Sequence, residues 1–189
     1  MRRNVSPRFT SGFFMLCLSL AGACIFLGVL ISFRTAGGTF AEAAQLVGNI
    51  SFDGINFADS LKRALLADMA YCFAVFIFSA GFPLSVLPGG YVLVKSFLLG
   101  VTAGLAARCC VMKEALSIFF AIFISNVLIL PIYILLFIIS VKFSYKTCAY
   151  PVKDKMAEYC GFSLKVIIFF AVMCIFEVVQ IGTGVLVLK

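Results

Sequence analysis

Between Phe9 and Phe33 the chain runs 25 residues without a charge. It does so again from Met69 to Val94, from Ala115 to Val141, and from Val166 to Leu188 with Glu177 as the one interruption. About 20 apolar residues carry a helix across the hydrocarbon core of a bilayer. No water reaches that core to satisfy backbone N–H and C=O groups, so such a run crosses as a helix with its hydrogen bonds closed inside the segment. Runs this long, set this close together, leave no stretch for a soluble domain. The composition agrees, with 63% of the 189 residues hydrophobic and 12% charged, where soluble domains hold roughly 45–50% apolar residues.

The expected fold is therefore all-α: a polytopic membrane protein forming a single domain over residues 1–189, with five crossings at about 11–33, 64–87, 91–108, 115–141 and 162–188. The sequence Pro88-Gly89-Gly90 predicts the turn between the second and third. The start, MRRNVSPR followed by 25 apolar residues, is too long for the h-region of a signal peptide and reads as an uncleaved anchor. An outer loop over 34–63 holds two short amphipathic helices. In TFAEAAQLVGNI, Thr39 and Glu42 form a capping box, and Phe40, Ala43, Ala44 and Val47 recur at helical spacing. In NFADSLKRALL, Asn56 and Asp59 take cap positions while Phe57, Leu61 and Leu65 share a face that suits the membrane interface.

Lysine and arginine counts orient the chain. With the N-terminus in the cytoplasm, Arg2, Arg3, Arg8, Lys95, Lys142, Lys146, Lys153, Lys155 and Lys165 fall inside, and Arg34, Lys62, Arg63, Arg108, Lys113 and Lys189 outside. The acidic Glu42, Asp53, Asp59 and Glu114 also fall outside. This predicts a cell-membrane protein with a cytoplasmic N-terminus and an external C-terminus. The net charge of +7 is a topology signal, scattered over short loops, and gives no support for nucleic-acid binding.

Chemistry is sparse. There is no histidine, and most of the eight cysteines sit in the apolar runs without a C-x-x-C pair, so they read as packing residues and no metal site is expected. The vicinal Cys109-Cys110 is the one thiol pair on which a membrane oxidoreductase could rest. No serine elbow, phosphate-cradling loop or carboxylate pair on one helical face is present, so neither catalytic residues nor a cofactor are expected. No small-molecule substrate is expected either.

The polar and small residues within the runs carry the remaining information. In VKSFLLGVTAGLAAR, Ser96, Gly100 and Gly104 recur every four residues with Ala103 and Ala107 beside them. That pattern lets another helix approach closely, from this chain or another protein. Lys95 either snorkels to the inner surface or meets a polar group on a neighbouring helix. Asn126 precedes Pro131, which cannot donate to the carbonyl of Val127, and the asparagine amide is placed to help satisfy the opened turn of a kink. Asp68, close to the outer end of the second crossing, is expected in solvent. Glu177 lies mid-segment with Gln180 near it, where a charge normally faces a partner or a wet cavity.

The order of these features resembles the stage II sporulation protein M family. A short basic start and first anchor precede FADSLKRALLADMAYCFAVFIFSAGFPLSVLPGG, the K-x4-G-x3-G of Lys95, Gly100 and Gly104, and the Asn126-x4-Pro131 element in EALSIFFAIFISNVLILPIYILLFIISVKFS. The resemblance covers about residues 8–188. It implies a non-enzymatic membrane platform at the sporulation septum, working with stage II sporulation proteins D and P, which cut peptidoglycan during septal thinning and forespore engulfment. The competing class is a membrane subunit of a transporter or permease, which calls for a polar path and commonly internal repeats. No repeat joins the two halves of this chain.

Overall fold

The computed structural model describes residues 7–34, 57–109, 125–149 and 155–187, and all of its regular structure is helical. Five long helices follow in order: α1 (Pro7–Arg34), α2 (Phe57–Phe78), α3 (Leu87–Cys109), α4 (Ser125–Ala149) and α5 (Lys155–Val187). Four segments are long and apolar enough to cross a membrane: Ser11–Arg34, Leu84–Gly104, Leu128–Cys148 and Met156–Val179. They make this a membrane protein by length and composition. The charges that set α2 apart are Asp59, Lys62, Arg63 and Asp68.

Several expected boundaries move. The run read as a second crossing over 64–87 divides: α2 begins in the segment assigned to the outer loop and stops at Phe78. A turn over residues 79–83 and a 3-10 turn at Leu84–Val86 then lead into α3. From Phe57 on, the NFADSLKRALL segment is thus the first part of a long helix rather than a separate surface one, and the expected cap Asn56 lies outside the described residues. Pro88-Gly89-Gly90 is no turn either, because these residues form the opening of α3. Proline suits the first helical turn, where its missing N–H has no partner to lose. Gly89 makes room for an aromatic ring, since a Cβ there would stand 2.8 Å from Phe137. The reversal falls earlier, where Ser79 and Ala80 donate back to Val75 and Ile77 at 3.0 and 3.2 Å. The TFAEAAQLVGNI segment, with Thr39 and Glu42, lies outside the described residues, as does the 115–124 part of the fourth crossing.

α4 is the central helix, touching all four others. Its residues Ile129, Leu130, Tyr133, Ile134, Leu136, Phe137, Ile138 and Phe143 form half of the buried core among the described residues. α1 packs chiefly on α3, and α2 chiefly on α5. Large apolar side chains such as Met15, Phe26, Phe73, Leu98, Ile167 and Ile175 point outward, an exterior suited to lipid. Where α4 ends and α5 starts, Phe143 stacks on Phe162 with centroids 4.3 Å apart, and Phe76 and Tyr159 extend the aromatic layer.

Candidate functional site

α3 uses its small residues against α1 of the same chain. A Cβ on Gly100 would come within 2.8 Å of the carbonyl carbon of Ile25, and one on Gly104 within 2.9 Å of Ser32 Cβ. On the facing helix, a Cβ on Gly28 would stand 2.8 Å from the amide nitrogen of Val101. The two backbones are therefore nearly in contact. Ala21, Gly28 and Ser32 are the buried residues of α1 among those whose burial is described, and their spacing of seven and four places them on one helical face. That α1 face escaped the sequence reading, although the spacing was there to find. Ser96 is fully buried, and its hydroxyl donates to Val92 O of its own helix at 2.7 Å. Of the two flanking alanines, Ala103 is half-buried and Ala107 is exposed.

On the other side of α3, four helices bring their polar groups together. Lys95 does not snorkel. Its ammonium donates to the Tyr133 hydroxyl at 2.7 Å and lies 4.1 Å from the centre of that ring. Tyr133 in turn donates to Asp68 Oδ1 on α2. Tyr71, also on α2, donates to the backbone oxygen of Tyr133 at 3.1 Å. The rings of Tyr71, Tyr91 and Tyr133 pack on one another with centroids 4.7 to 6.0 Å apart. Asp68, expected in solvent, is fully buried (0% exposed). The reason is the helix boundary: Asp68 is the twelfth residue of a 22-residue helix rather than a residue near its end. Glu177 of α5 is 5% exposed, and Asp68 and Lys95 are the charged groups that act on it.

The arrangement is a polar relay, from the Lys95 ammonium through the Tyr133 hydroxyl to the Asp68 carboxylate, with Glu177 in reach of the charges at both ends. In a low-dielectric interior each unpaired member would be costly, so the four helices are held by mutual need. Among the described residues no group of three or more histidine, cysteine or acidic side chains is placed to hold a metal ion. Pro131 is half-buried and α4 runs on through it. Asn126 and Gln180 lie in α4 and α5, with their side chains outside the described set. Of the two cysteines in the vicinal pair, Cys109 is the last residue of α3 and Cys110 lies outside the described residues. The sequence did not mark Tyr133, the residue that joins Lys95 to Asp68. A tyrosine in an apolar run counts as hydrophobic until its hydroxyl finds a partner.

Compared with protein-family models, curated proteins and solved structures, the chain finds no match.

Proposed function

We propose that this protein is a non-enzymatic membrane platform of a septal peptidoglycan-degrading complex, needed for septal thinning and forespore engulfment, in the manner of the stage II sporulation protein M family it resembles. The observation that carries the reading is the use made of the residues behind that resemblance. Lys95 is engaged in the interior relay, and Gly100 and Gly104 in the seam with α1. On this reading the motif serves to hold the helices together, as a platform requires. Stage II sporulation proteins D and P would then be the partners that supply the cutting chemistry. The segment 34–63 and the Glu177 region are the contacts proposed for them.

The proposed topology has five crossings, with α2 as the fifth, the N-terminus in the cytoplasm and the C-terminus outside. Supporting it, the residues of α2 after Arg63 carry one charge, Asp68, and that charge faces inward. Labelling of single cysteines placed at each end, in intact and opened cells, checks this. A C-terminal cysteine shielded from outside reagent in intact cells defeats it.

Deleting the gene should leave cells that form a polar septum but neither thin it nor engulf the forespore, and the purified protein should cleave no peptidoglycan. Normal engulfment in the deletion strain overturns the platform reading. A transporter or permease subunit is the second reading, favoured by the buried cluster of Asp68, Lys95, Tyr133 and Glu177, since intramembrane ionisable groups often mark ion or proton paths. Solute flux through the reconstituted protein alone would decide for it.

A further inference from the structure

Three buried side-chain atoms find no hydrogen-bond partner among the described residues: Asp68 Oδ2, Ser140 Oγ and Ser144 Oγ. An orphaned buried polar group costs about 1 to 3 kcal/mol, so three of them in one small bundle call for a common cause. They share a line. Ser140 lies seven residues beyond Tyr133 on α4 and Ser144 eleven beyond, which puts all three on one helical face within about 40° at 100° per residue. Asp68 is held by the first of the three. At 1.5 Å per residue the line runs about 16 Å, from mid-helix at Tyr133 to within about 8 Å of the end of α4. Near that end Lys146 pairs with the partly exposed Glu158.

The charges at the inner terminus of this line do not balance. Asp68 and Glu177 bring two carboxyls, and Lys95 is the one cation acting on both among the described residues. The other titratable groups facing the cluster are Tyr71 and Cys72 of α2, Tyr91 of α3 and Cys174 of α5, none of them a cation. α1 carries no charge between Arg8 and Arg34. An uncompensated negative charge at this depth is costly, and a bound proton is the counter-charge that also meets the needs of an orphan carboxyl oxygen.

We propose that Asp68 Oδ2 is a proton-binding site, and that Ser144 and Ser140 anchor bound waters through which protons reach it from the end of the bundle where α4 and α5 meet. A buried water typically makes about three hydrogen bonds to otherwise unsatisfied polar groups, so the hydroxyls at one end and the carboxyl oxygen at the other each anchor a different water of the chain. A hydronium ion at the Lys146–Glu158 end gives up its proton and becomes water. The proton passes along the hydrogen-bonded waters and bonds to Oδ2, turning the carboxylate into a neutral acid beside Lys95 and Glu177. Release runs the same steps in reverse. The site does not depend on which partners a platform would hold.

Infrared spectroscopy of the full chain in lipid vesicles, stepped in pH and moved from H2O to D2O, tests this. The wild type minus Asp68→Asn difference spectrum should show a carboxylic acid C=O band that grows as pH falls and shifts in D2O, set apart by the subtraction from the bands of the other Asp and Glu residues, the chain having eight in all. In Ser140→Ala/Ser144→Ala the same band should exchange roughly tenfold more slowly, equivalent to about 1.4 kcal/mol on the barrier. A wild type in which every acid band exchanges at once in D2O, as solvent-exposed carboxyls do, overturns the proposal whether or not the variants fold. So does a band that survives Asp68→Asn and is lost in Glu177→Gln, or exchange at the wild-type rate in the serine double variant.

Discussion

The α1–α3 seam and the four-helix relay flank the same helix and are built from opposite materials. On one side of α3, Gly100 and Gly104 meet Gly28 and Ser32 with almost no side chain between the backbones. On the other, Lys95 reaches across a tyrosine to a carboxylate. The seam is limited by space, so it tolerates no addition. The relay is limited by charge, so it tolerates no subtraction. In lipid both solutions are needed, because apolar side chains gain little by leaving an apolar solvent, and helices must be held by close packing or by polar groups. α1, whose membrane stretch carries no charge, has only the first available.

The largest expected effect comes from adding bulk to the seam. Gly100→Leu would drive a branched side chain into the Ile25 backbone, which cannot move aside as a flexible side chain would. The cost should exceed the roughly 1–3 kcal/mol of ordinary overpacking. Gly28→Leu on the facing helix should do the same. Leu98→Ala on the outward face of α3 should leave folded yield and thermal stability nearly unchanged. Equal yields of detergent-extracted protein for all three variants would show that the seam does not hold the bundle.

Next comes subtraction from the relay. Asp68→Ala leaves Lys95 buried without its carboxylate and should cost about 3–5 kcal/mol, the usual penalty for breaking a buried pair from one side. Pairing it with Lys95→Met should recover much of that loss, because the orphaned charge is then gone. Unfolding of each variant by steric trapping in bicelles gives the cycle. A double variant as unstable as the sum of the singles would mean that packing, rather than charge, decides at this site.

Tyr133→Phe sharpens the comparison on a smaller scale. The ring contacts with Tyr71 and Tyr91 stay, while the hydroxyl that joins Lys95 to Asp68 is lost. Intramembrane hydrogen bonds average roughly 0.6 kcal/mol and reach about 1.7, so a loss of about 1–2 kcal/mol is expected in the same assay. A penalty equal to that of Asp68→Ala would make the hydroxyl, not the charge, the keystone.

The seam was half legible in the sequence and the relay barely so, for physical reasons. The spacing of Ser96, Gly100 and Gly104 marks a helix face whatever its partner. The choice of α1 was hidden because Ala21, Gly28 and Ser32 lie scattered among large apolar residues. Lys95 and Glu177 stand out in any hydropathy reading, yet their common site depends on tertiary geometry. Asp68 was misplaced through one boundary. Pro88-Gly89-Gly90 reads as a break on local propensity, but the first turn of a helix accepts proline, and Phe137 needs the space at Gly89. Once the reversal is placed at residues 79–83, Asp68 moves to mid-helix. Tyr71, Cys72 and Val75, three, four and seven residues on, complete its buried face.

The smallest effect is expected where charge meets solvent. Lys146 and Glu158 form an ion pair at 2.5 Å, but their side chains are 53% and 38% exposed. Screening and the entropy of holding two long side chains reduce such a pair to about 0–1 kcal/mol. Glu158→Gln should therefore change stability by less than about 1 kcal/mol, and raising the salt concentration should shrink even that difference. The same salt series applied to Asp68→Ala should leave its penalty almost constant, because ions do not reach a fully buried carboxylate. If the Asp68→Ala penalty falls with salt as the Glu158→Gln penalty does, ions enter the relay freely from the bulk. The contrast between a seam limited by space and a relay limited by charge then gives way to one between a closed seam and a cleft open to ions.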